Sequence, residues 1–214
     1  MMPGVAAQPL GGRSVFSPTV LADADYIGGV YELAGSPLAA SDIIDKPGRI
    51  GASGLEILDN DVDGIVSAIG DYLALLLTLN WTVVIEWEEL TSSGYTELLL
   101  LEEFGNNHSM GIDRVGSAGL PMQGYESGVQ GREVNNTDTY GPGVHKVAFT
   151  STVSGISMST DGGAVSSDSS PRDIDPLVAA SFGGPADGSY NGTFIRRVTL
   201  YAPLDDIWLP SLSA

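Results

Sequence analysis

The sequence predicts an all-β fold, a sandwich or jelly roll built from short strands. The 214-residue chain contains 28 Gly and 12 Pro, and such a composition indicates many turns between short elements. Residues 80–90 alternate between apolar and polar side chains with the period of a strand. Further short apolar runs follow at regular spacing, and Gly-rich turns separate them.

Composition excludes several classes of function. Nine Lys and Arg stand against 27 Asp and Glu, which gives a net charge of −18. Nucleic-acid binding needs clustered Lys and Arg side chains and is therefore excluded, and the same net charge opposes binding to an anionic membrane. The absence of Cys excludes disulfides and thiol chemistry. No apolar run approaches the roughly 20 residues of a membrane-spanning helix, so no membrane insertion is expected.

Residues 1–47 differ in composition from the rest of the chain. They are rich in Gly, Ala, Pro and Ser, with weak strand-like patches at residues 14–21 and 26–33. Such a segment buries little surface of its own, which predicts either a flexible arm or an extended peptide ordered by a neighbour. The sequence thus predicts an extended N-terminal arm over residues 1–47 and one β domain over residues 48–214.

The elements of the predicted domain follow in order. Residues 53–58 read as a strand, and residues 65–79 fit either a helix, predicted for their first half, or a buried strand. In the strand at residues 80–90, Trp81, Val83, Ile85 and Trp87 share the face predicted to point inward. Residues 95–101 and 108–115 are predicted as strands, and residues 117–142 as a long polar stretch.

The last third of the chain repeats this rhythm. Strands are predicted at residues 144–150, 155–159 and 193–201, and a short helical turn within residues 202–210. His145 is expected to begin a strand rather than to bind a metal. Arg196 and Arg197 are neighbours on a strand, where consecutive side chains point to opposite faces, and a structural role is predicted for the pair.

Three successive segments carry a family resemblance: His145-Lys146-Val147-Ala148-Phe149, residues 156–163 ending in Asp-Gly-Gly, and residues 191–201 with the sequence Asn-Gly-Thr-Phe-Ile-Arg-Arg. Together with residues 204–206 and 209–213 they resemble the concanavalin A-like lectin/glucanase fold. They resemble more closely the laminin-G-like jelly rolls of tailed-phage structural proteins. The likeness spans residues 48–214 and is most specific over residues 140–214.

This resemblance implies a non-enzymatic virion structural protein of a tailed phage. Such a protein is a tail-fibre, tail-tip or capsid spike, fibre or decoration component at the virion surface. The arm would then dock onto other virion proteins, and analogy with fibres implies a homo-oligomer such as a trimer. The alternative is a carbohydrate-binding module that recognises host surface glycan. A glycan hydrolase is the least supported function.

Two carboxylates test the hydrolase interpretation. Glu86 and Glu88 lie on one strand face about 6.7 Å apart, a separation that inverting glycosidases use. The enzymes of the resembled fold carry Glu-x-Asp-x-Glu on this strand, whereas Leu90 occupies the third position here. The missing carboxylate favours an acidic sheet face over a catalytic pair, and no catalytic residue is predicted.

Residues 59–64, Asp-Asn-Asp-Val-Asp-Gly, match the first half of a calcium loop. Asp59, Asp61 and Asp63 would be the ligands, but Gly70 stands where such a loop carries its bidentate Glu. A solvated acidic turn is the alternative, and no other cofactor is implied.

Aromatic side chains on polar loops are candidates for stacking against sugar rings. Tyr125, Tyr140 and Tyr190 are predicted to be exposed on such loops and form the candidate glycan site. Trp81 and Trp87 are predicted to pack inward instead.

Overall fold

A computed structural model of the chain describes residues 17–44, 47–57, 63–64, 80–90, 96–102, 109–114, 122–126, 131–136, 140–170, 179–182 and 193–214. Within these residues the chain forms two antiparallel sheets, one of ten strands and one of six. The predicted all-β sandwich is confirmed.

The larger sheet contains most of the described strand residues. Its strands are β1 (Val20–Asp25), β2 (Val30–Leu33), β3 (Ser36–Pro37), β4 (Ile50–Gly51), β5 (Gly54–Ile57), β7 (Trp81–Glu89), β12 (Gly143–Thr152), β13 (Gly155–Thr160), β14 (Ser166–Asp168) and β16 (Thr193–Tyr201). Their order across the sheet is β14-β13-β12-β7-β16-β1-β2-β3, and the β4–β5 hairpin pairs with the first residues of β16.

The smaller sheet has the order β11-β10-β9-β8-β15-β6. Its strands are β6 (Asp63–Gly64), β8 (Thr96–Glu102), β9 (Ser109–Arg114), β10 (Met122–Glu126), β11 (Arg132–Asn136) and β15 (Ala179–Phe182). The edge strands β11 and β14 contact each other, because the backbone N–H of Glu133 donates to the Asp168 carboxylate and the Ser166 hydroxyl donates to the Asn135 carbonyl. One side of the sandwich is therefore closed.

The core lies between the inner faces of the two sheets. Trp81, Val83, Ile85 and Trp87 of β7 are all buried there, as their alternation predicts. Side chains of the smaller sheet complete the same cluster: Leu98, Leu99, Ile112 and Val134. The faces turned away from this core are called outer faces below.

The predicted boundary at residue 47 is wrong for residues 20–44. β1 pairs along β16, and β2 pairs with β1. Tyr26, Tyr31 and Ile43 belong to the main core cluster. Scattered apolar residues hide this arrangement in the sequence, because backbone pairing with a distant strand supplies the order that composition does not reveal. Residues 1–16 lie outside the described residues.

A β-bulge in β16 changes the expected geometry of Arg196 and Arg197. The pairing with β7 shifts between Ile195 and Arg197, so one extra residue is inserted. Arg196 reaches the outer-face carboxylates of β7, and Arg197 reaches Asp23 on the outer face of β1. The bulge therefore places both guanidinium groups on one face, whereas regular alternation would separate them.

Several other strands match the predictions, among them β5, β7, β8, β9, β12, β13 and β16. Residues 117–142 are not a plain polar stretch, since they contain β10 and β11, whose polar and Gly-rich sequences lack clear alternation. β14 and β15 were not predicted from the sequence. Residues 65–79 lie outside the described residues, and no described helix is long and apolar enough to span a membrane.

The segment after β16 crosses the outer face of the larger sheet, and we call residues 203–214 the C-terminal strap. It contains a 3-10 turn at Asp206–Trp208 and the short helix α1 (Leu209–Leu212), as the predicted helical turn anticipates. Leu209 is fully buried against Val84 and Ala148. Strap residues also bond to the sheet, through Leu204 N–H to the Thr82 hydroxyl and the Ser213 hydroxyl to Ser159.

Candidate functional site

Arg197 anchors a charged cluster on the outer face of the larger sheet. Its Nε and Nη2 donate to the two carboxylate oxygens of Asp23 at 2.9 and 2.6 Å. The Thr199 hydroxyl donates to the same carboxylate at 2.7 Å. Hydrogen bonding to Asp23 raises the pKa of Arg197 above its ordinary value, so this guanidinium is permanently charged. Asp23 is almost buried, but the Arg197 side chain remains half exposed.

Arg196 holds the two carboxylates that sequence spacing singles out. Its Nε donates to Glu86 at 3.0 Å, and its Nη1 donates to Glu88 at 2.8 Å. The three side chains are partly buried. A carboxylate pair clamped by one guanidinium is an ion-pair network, and this geometry favours the acidic sheet face over a pair of catalytic groups. Leu90, at the position of the missing third carboxylate, is exposed.

A small cavity of about 170 Å³ lies beside this cluster, and we call it the charged pocket. Its walls include Glu86, Lys146, Arg197, Tyr201 and Leu212. Lys146 Nζ donates to the backbone oxygen of Ala214 in the strap at 2.9 Å and lies 3.9 Å from Glu86. Burial raises the pKa of Tyr201, which keeps its hydroxyl protonated. Two cations, a carboxylate and a phenol therefore converge on one small cavity, which has room for a small polar group of a ligand.

A larger groove of about 730 Å³ lies on the same outer face, and we call it the hydroxyl groove. Hydroxyl-bearing residues of β12, β13 and β14 line it, among them Thr150, Thr152, Ser157 and Ser167. Residues 203–207 of the strap line it as well. α1 packs on Val84 and Ala148 with its buried Leu209. The two spaces share none of the described lining residues.

His145 lies at the rim of the core with both ring nitrogens bonded. Nδ1 lies 2.7 Å from the Asp161 carboxylate, and Nε2 lies 2.8 Å from the Gly141 carbonyl. Two acceptors favour the doubly protonated ring, and the hydrogen bond that His145 donates to Asp161 is the main cause of the raised pKa of His145. His145 lies in strand β12, as predicted, and it locks the β13 turn at Asp161 to this strand.

The prediction that Tyr140 is an exposed glycan-binding side chain is wrong. It is only 6% exposed, and its ring packs edge-on against Trp87 and His145. Apolar packing with Trp87 outweighs the polar surroundings from which exposure was predicted. Tyr125 lies in β10 rather than on a loop. The Tyr125 side chain and all of Tyr190 lie outside what the structure describes.

The predicted calcium ligands stay untested. Asp59 and Asp61 lie outside the described residues, and of Asp63 only the backbone in β6 is described. Among the described residues no group of three His, Asp or Glu side chains is arranged to hold a metal ion. Calcium binding at residues 59–63 stays a prediction.

Sequence reasoning did not identify Lys146 or Arg197 as binding residues. The sequence signal was the pair Arg196-Arg197 in an otherwise acidic chain. Its meaning depends on the bulge, which places both side chains on one face, and on the strap, which brings Leu212 to the pocket and Ala214 to Lys146. Neither feature has a local sequence pattern.

Comparison with protein-family profiles gives no match, and comparison with curated protein sequences gives none either. Solved structures do match. The chain is similar to the CBM40, a carbohydrate-binding module, of Ruminococcus gnavus IT-sialidase, with a TM-score of 0.59, 16% identity and coverage of 76% of this chain and 97% of that one. The same module bound to α2,3-sialyllactose gives a TM-score of 0.57 and 17% identity, covering 76% and 96% of the two chains.

A sialidase is similar as well. Trypanosoma rangeli sialidase in complex with 2,3-difluorosialic acid matches with a TM-score of 0.58 and 17% identity, over 95% of this chain and 34% of that one. At these identities the likeness establishes the fold alone, a jelly-roll β-sandwich. The chain thus has a fold that carbohydrate-binding modules of sialidases share.

Proposed function

We propose that the protein is a carbohydrate-binding protein without catalytic activity, and that the charged pocket holds the acidic group of a sialic acid. The observation that carries this proposal is the convergence of Arg197 and Lys146 on one small cavity of the outer face. The likeness to modules solved with sialyllactose supports it at the level of fold.

The chemistry of the pocket suits a carboxylated sugar. Arg197 uses Nε and Nη2 for Asp23, so Nη1 remains available to donate to a ligand. Lys146 Nζ supplies a second positive donor. Glu86 and the Tyr201 hydroxyl provide acceptors and a donor for the remaining polar groups of the sugar. The three carboxylates Asp23, Glu86 and Glu88 are matched by three cations, those of Arg196, Arg197 and Lys146. The cluster is therefore locally neutral in a chain whose net charge is −18.

The ion pairing of the carboxylates supports binding rather than hydrolysis. Glu86 and Glu88 both accept hydrogen bonds from Arg196, which holds the two side chains in an ion-pair network. A general acid must instead be positioned to transfer a proton to the leaving group. We therefore expect no release of product when the protein is incubated with a fluorogenic sialoside. Release above that of a boiled sample would contradict this part of the proposal.

Isothermal titration calorimetry with 3′-sialyllactose tests the binding. We expect a dissociation constant below about 1 mM for the wild type and at least tenfold weaker binding, about 1.4 kcal/mol, for Lys146→Gln. Lys146 is partly exposed, so its substitution is expected to preserve the fold.

Arg49→Gln is the matched control, since it removes the same charge from a residue that does not line the pocket. Its affinity is expected to stay within about twofold of the wild type, a change near 0.4 kcal/mol. The proposal fails if the wild type gives no binding, or if Lys146→Gln binds 3′-sialyllactose as tightly as the wild type.

The location of the protein on a tailed-phage particle is a further proposal. It rests on the resemblance of residues 140–214 to phage jelly rolls and on an acidic surface without Cys, which resists aggregation and oxidation. Attachment through the N-terminal residues and homo-oligomerisation belong to the same proposal. Mass spectrometry of purified particles tests it, since absence of the protein from the particles would contradict it.

A further inference from the structure

The hydroxyl groove differs in chemistry from the charged pocket. Among the residues that the structure describes, no Lys or Arg lines it, whereas three carboxylates do, those of Asp168, Asp205 and Asp206. Hydrogen bonds, first from the Ser170 side chain and then from the Glu133 N–H, lower the pKa of Asp168. The groove therefore carries negative charge at neutral pH and opposes an acidic ligand.

Two of its hydroxyl groups are oriented by the Asp206 carboxylate. Asp206 Oδ2 lies 2.9 Å from the Ser157 hydroxyl oxygen and 3.4 Å from that of Ser167. The Ser157 hydroxyl also lies 2.9 Å from Ser167. Since the carboxylate attracts the hydroxyl protons, the groove presents mainly oxygen acceptors to a ligand. A ligand that fits must bring many hydrogen-bond donors.

The strap supplies the apolar part of the groove. Ile207 is 73% exposed, and Pro203 and Leu204 lie beside it in the lining. Pyranose rings combine hydroxyl donors with an apolar face, and both features of the groove match this combination. A volume of about 730 Å³ also falls in the range of ligand sites.

We propose that the hydroxyl groove is a second binding site, which takes an uncharged, hydroxyl-rich saccharide. The site stands apart from the proposed sialic-acid pocket, because the two share none of the described lining residues. The proposal therefore holds or fails independently of the function proposed above. The charged pocket would then hold the acidic end of one glycan. The groove would hold a neutral saccharide, either a second glycan or a neutral part of the first.

NMR titration of the full chain, labelled with ¹⁵N, tests this proposal. The probes are an uncharged hexose oligosaccharide and an oligogalacturonate of the same length. We expect the uncharged probe to shift the amide signals of Ser157, Ser167 and Asp206. The oligogalacturonate is expected to bind there at least about tenfold more weakly.

Ser169→Trp is the test variant, since Ser169 is exposed and lines the groove. The added indole fills the groove, and affinity for the uncharged probe is expected to fall at least about tenfold. Ser36→Trp is the control, because Ser36 is exposed at the opposite edge of the sheet. For both variants, binding of 3′-sialyllactose is expected to match the wild type.

Three results would overturn the groove proposal: no shifts at the groove with the uncharged probe, equal binding of the oligogalacturonate there, or unchanged binding by Ser169→Trp. If the wild type does not bind 3′-sialyllactose, that result overturns only the function proposed for the charged pocket.

Discussion

The ion pair between Asp23 and Arg197 gives the sharpest test of how the N-terminal strands are held. Asp23 is 9% exposed and accepts three hydrogen bonds, two from Arg197 and one from Thr199. Asp23→Ala removes all three and leaves the buried Thr199 hydroxyl without this acceptor. Because the Arg197 side chain is half exposed, water can replace part of what it loses.

The expected cost follows from these contacts. Hydrogen bonds to a charged group contribute about 1.5–3 kcal/mol each, but they are not additive, and hydration of Arg197 offsets part of the loss. We expect Asp23→Ala to lower the free energy of unfolding by about 2–3 kcal/mol. For a chain of this size that corresponds to a decrease in Tm of about 5–10 °C.

Urea unfolding and calorimetry of the wild type, Asp23→Ala, Arg197→Ala and the double variant give the coupling energy, expected at about 1–2 kcal/mol. Glu32→Ala is the control, since Glu32 is exposed and lies opposite Asp23 on β2. It is expected to change stability by less than about 0.5 kcal/mol. If Asp23→Ala behaves like this control, the ion pair does not hold β1 to β16.

Three further predictions concern the fold. Gly54→Ala is expected to lower the free energy of unfolding by about 2–4 kcal/mol in thermal melts, because φ is +116° and a Cβ would collide with the Ile195 carbonyl. Gly48→Ala is the control and is expected to leave the stability unchanged, because no atom lies near the added Cβ. The pKa of His145 is raised in the folded state. The stabilisation that protonated His145 contributes is therefore fully present below about pH 6.5, its ordinary pKa, and is lost as the pH rises through the raised pKa of the folded state. Melts of wild type and His145→Gln across this range should converge at high pH, and a constant difference would contradict the ion pair with Asp161. Limited proteolysis is expected to leave residues 20–44 intact, and a resistant fragment beginning near residue 48 would contradict the pairing of β1 with β16.

The sequence correctly predicts seven of the sixteen described strands, because these alternate strongly or lie between clear turns. β7 is the best case, with its apolar face buried as its pattern requires. β14 was missed because its three residues, Ser-Ser-Asp, are polar and paired on only one side. The boundary at residue 47 failed because β1 gains its order from a strand more than 170 positions away.

The candidate site depends on features that no local pattern shows. The alternation of β7 correctly assigns Thr82 and Val84 to the outer face, but both are buried because the strap covers them. Likewise, polarity around Tyr140 predicts exposure, whereas its ring packs against Trp87. Sites formed by a bulge, a crossing segment and distant strands require the tertiary structure.

A crystal structure of the protein with 3′-sialyllactose tests the central proposal most directly. We expect the carboxylate of the sugar in the charged pocket, within about 3 Å of Arg197 Nη1 and Lys146 Nζ. A ligand bound elsewhere on the molecule, with Arg197 and Lys146 contacting only protein atoms, would contradict the assignment of this pocket.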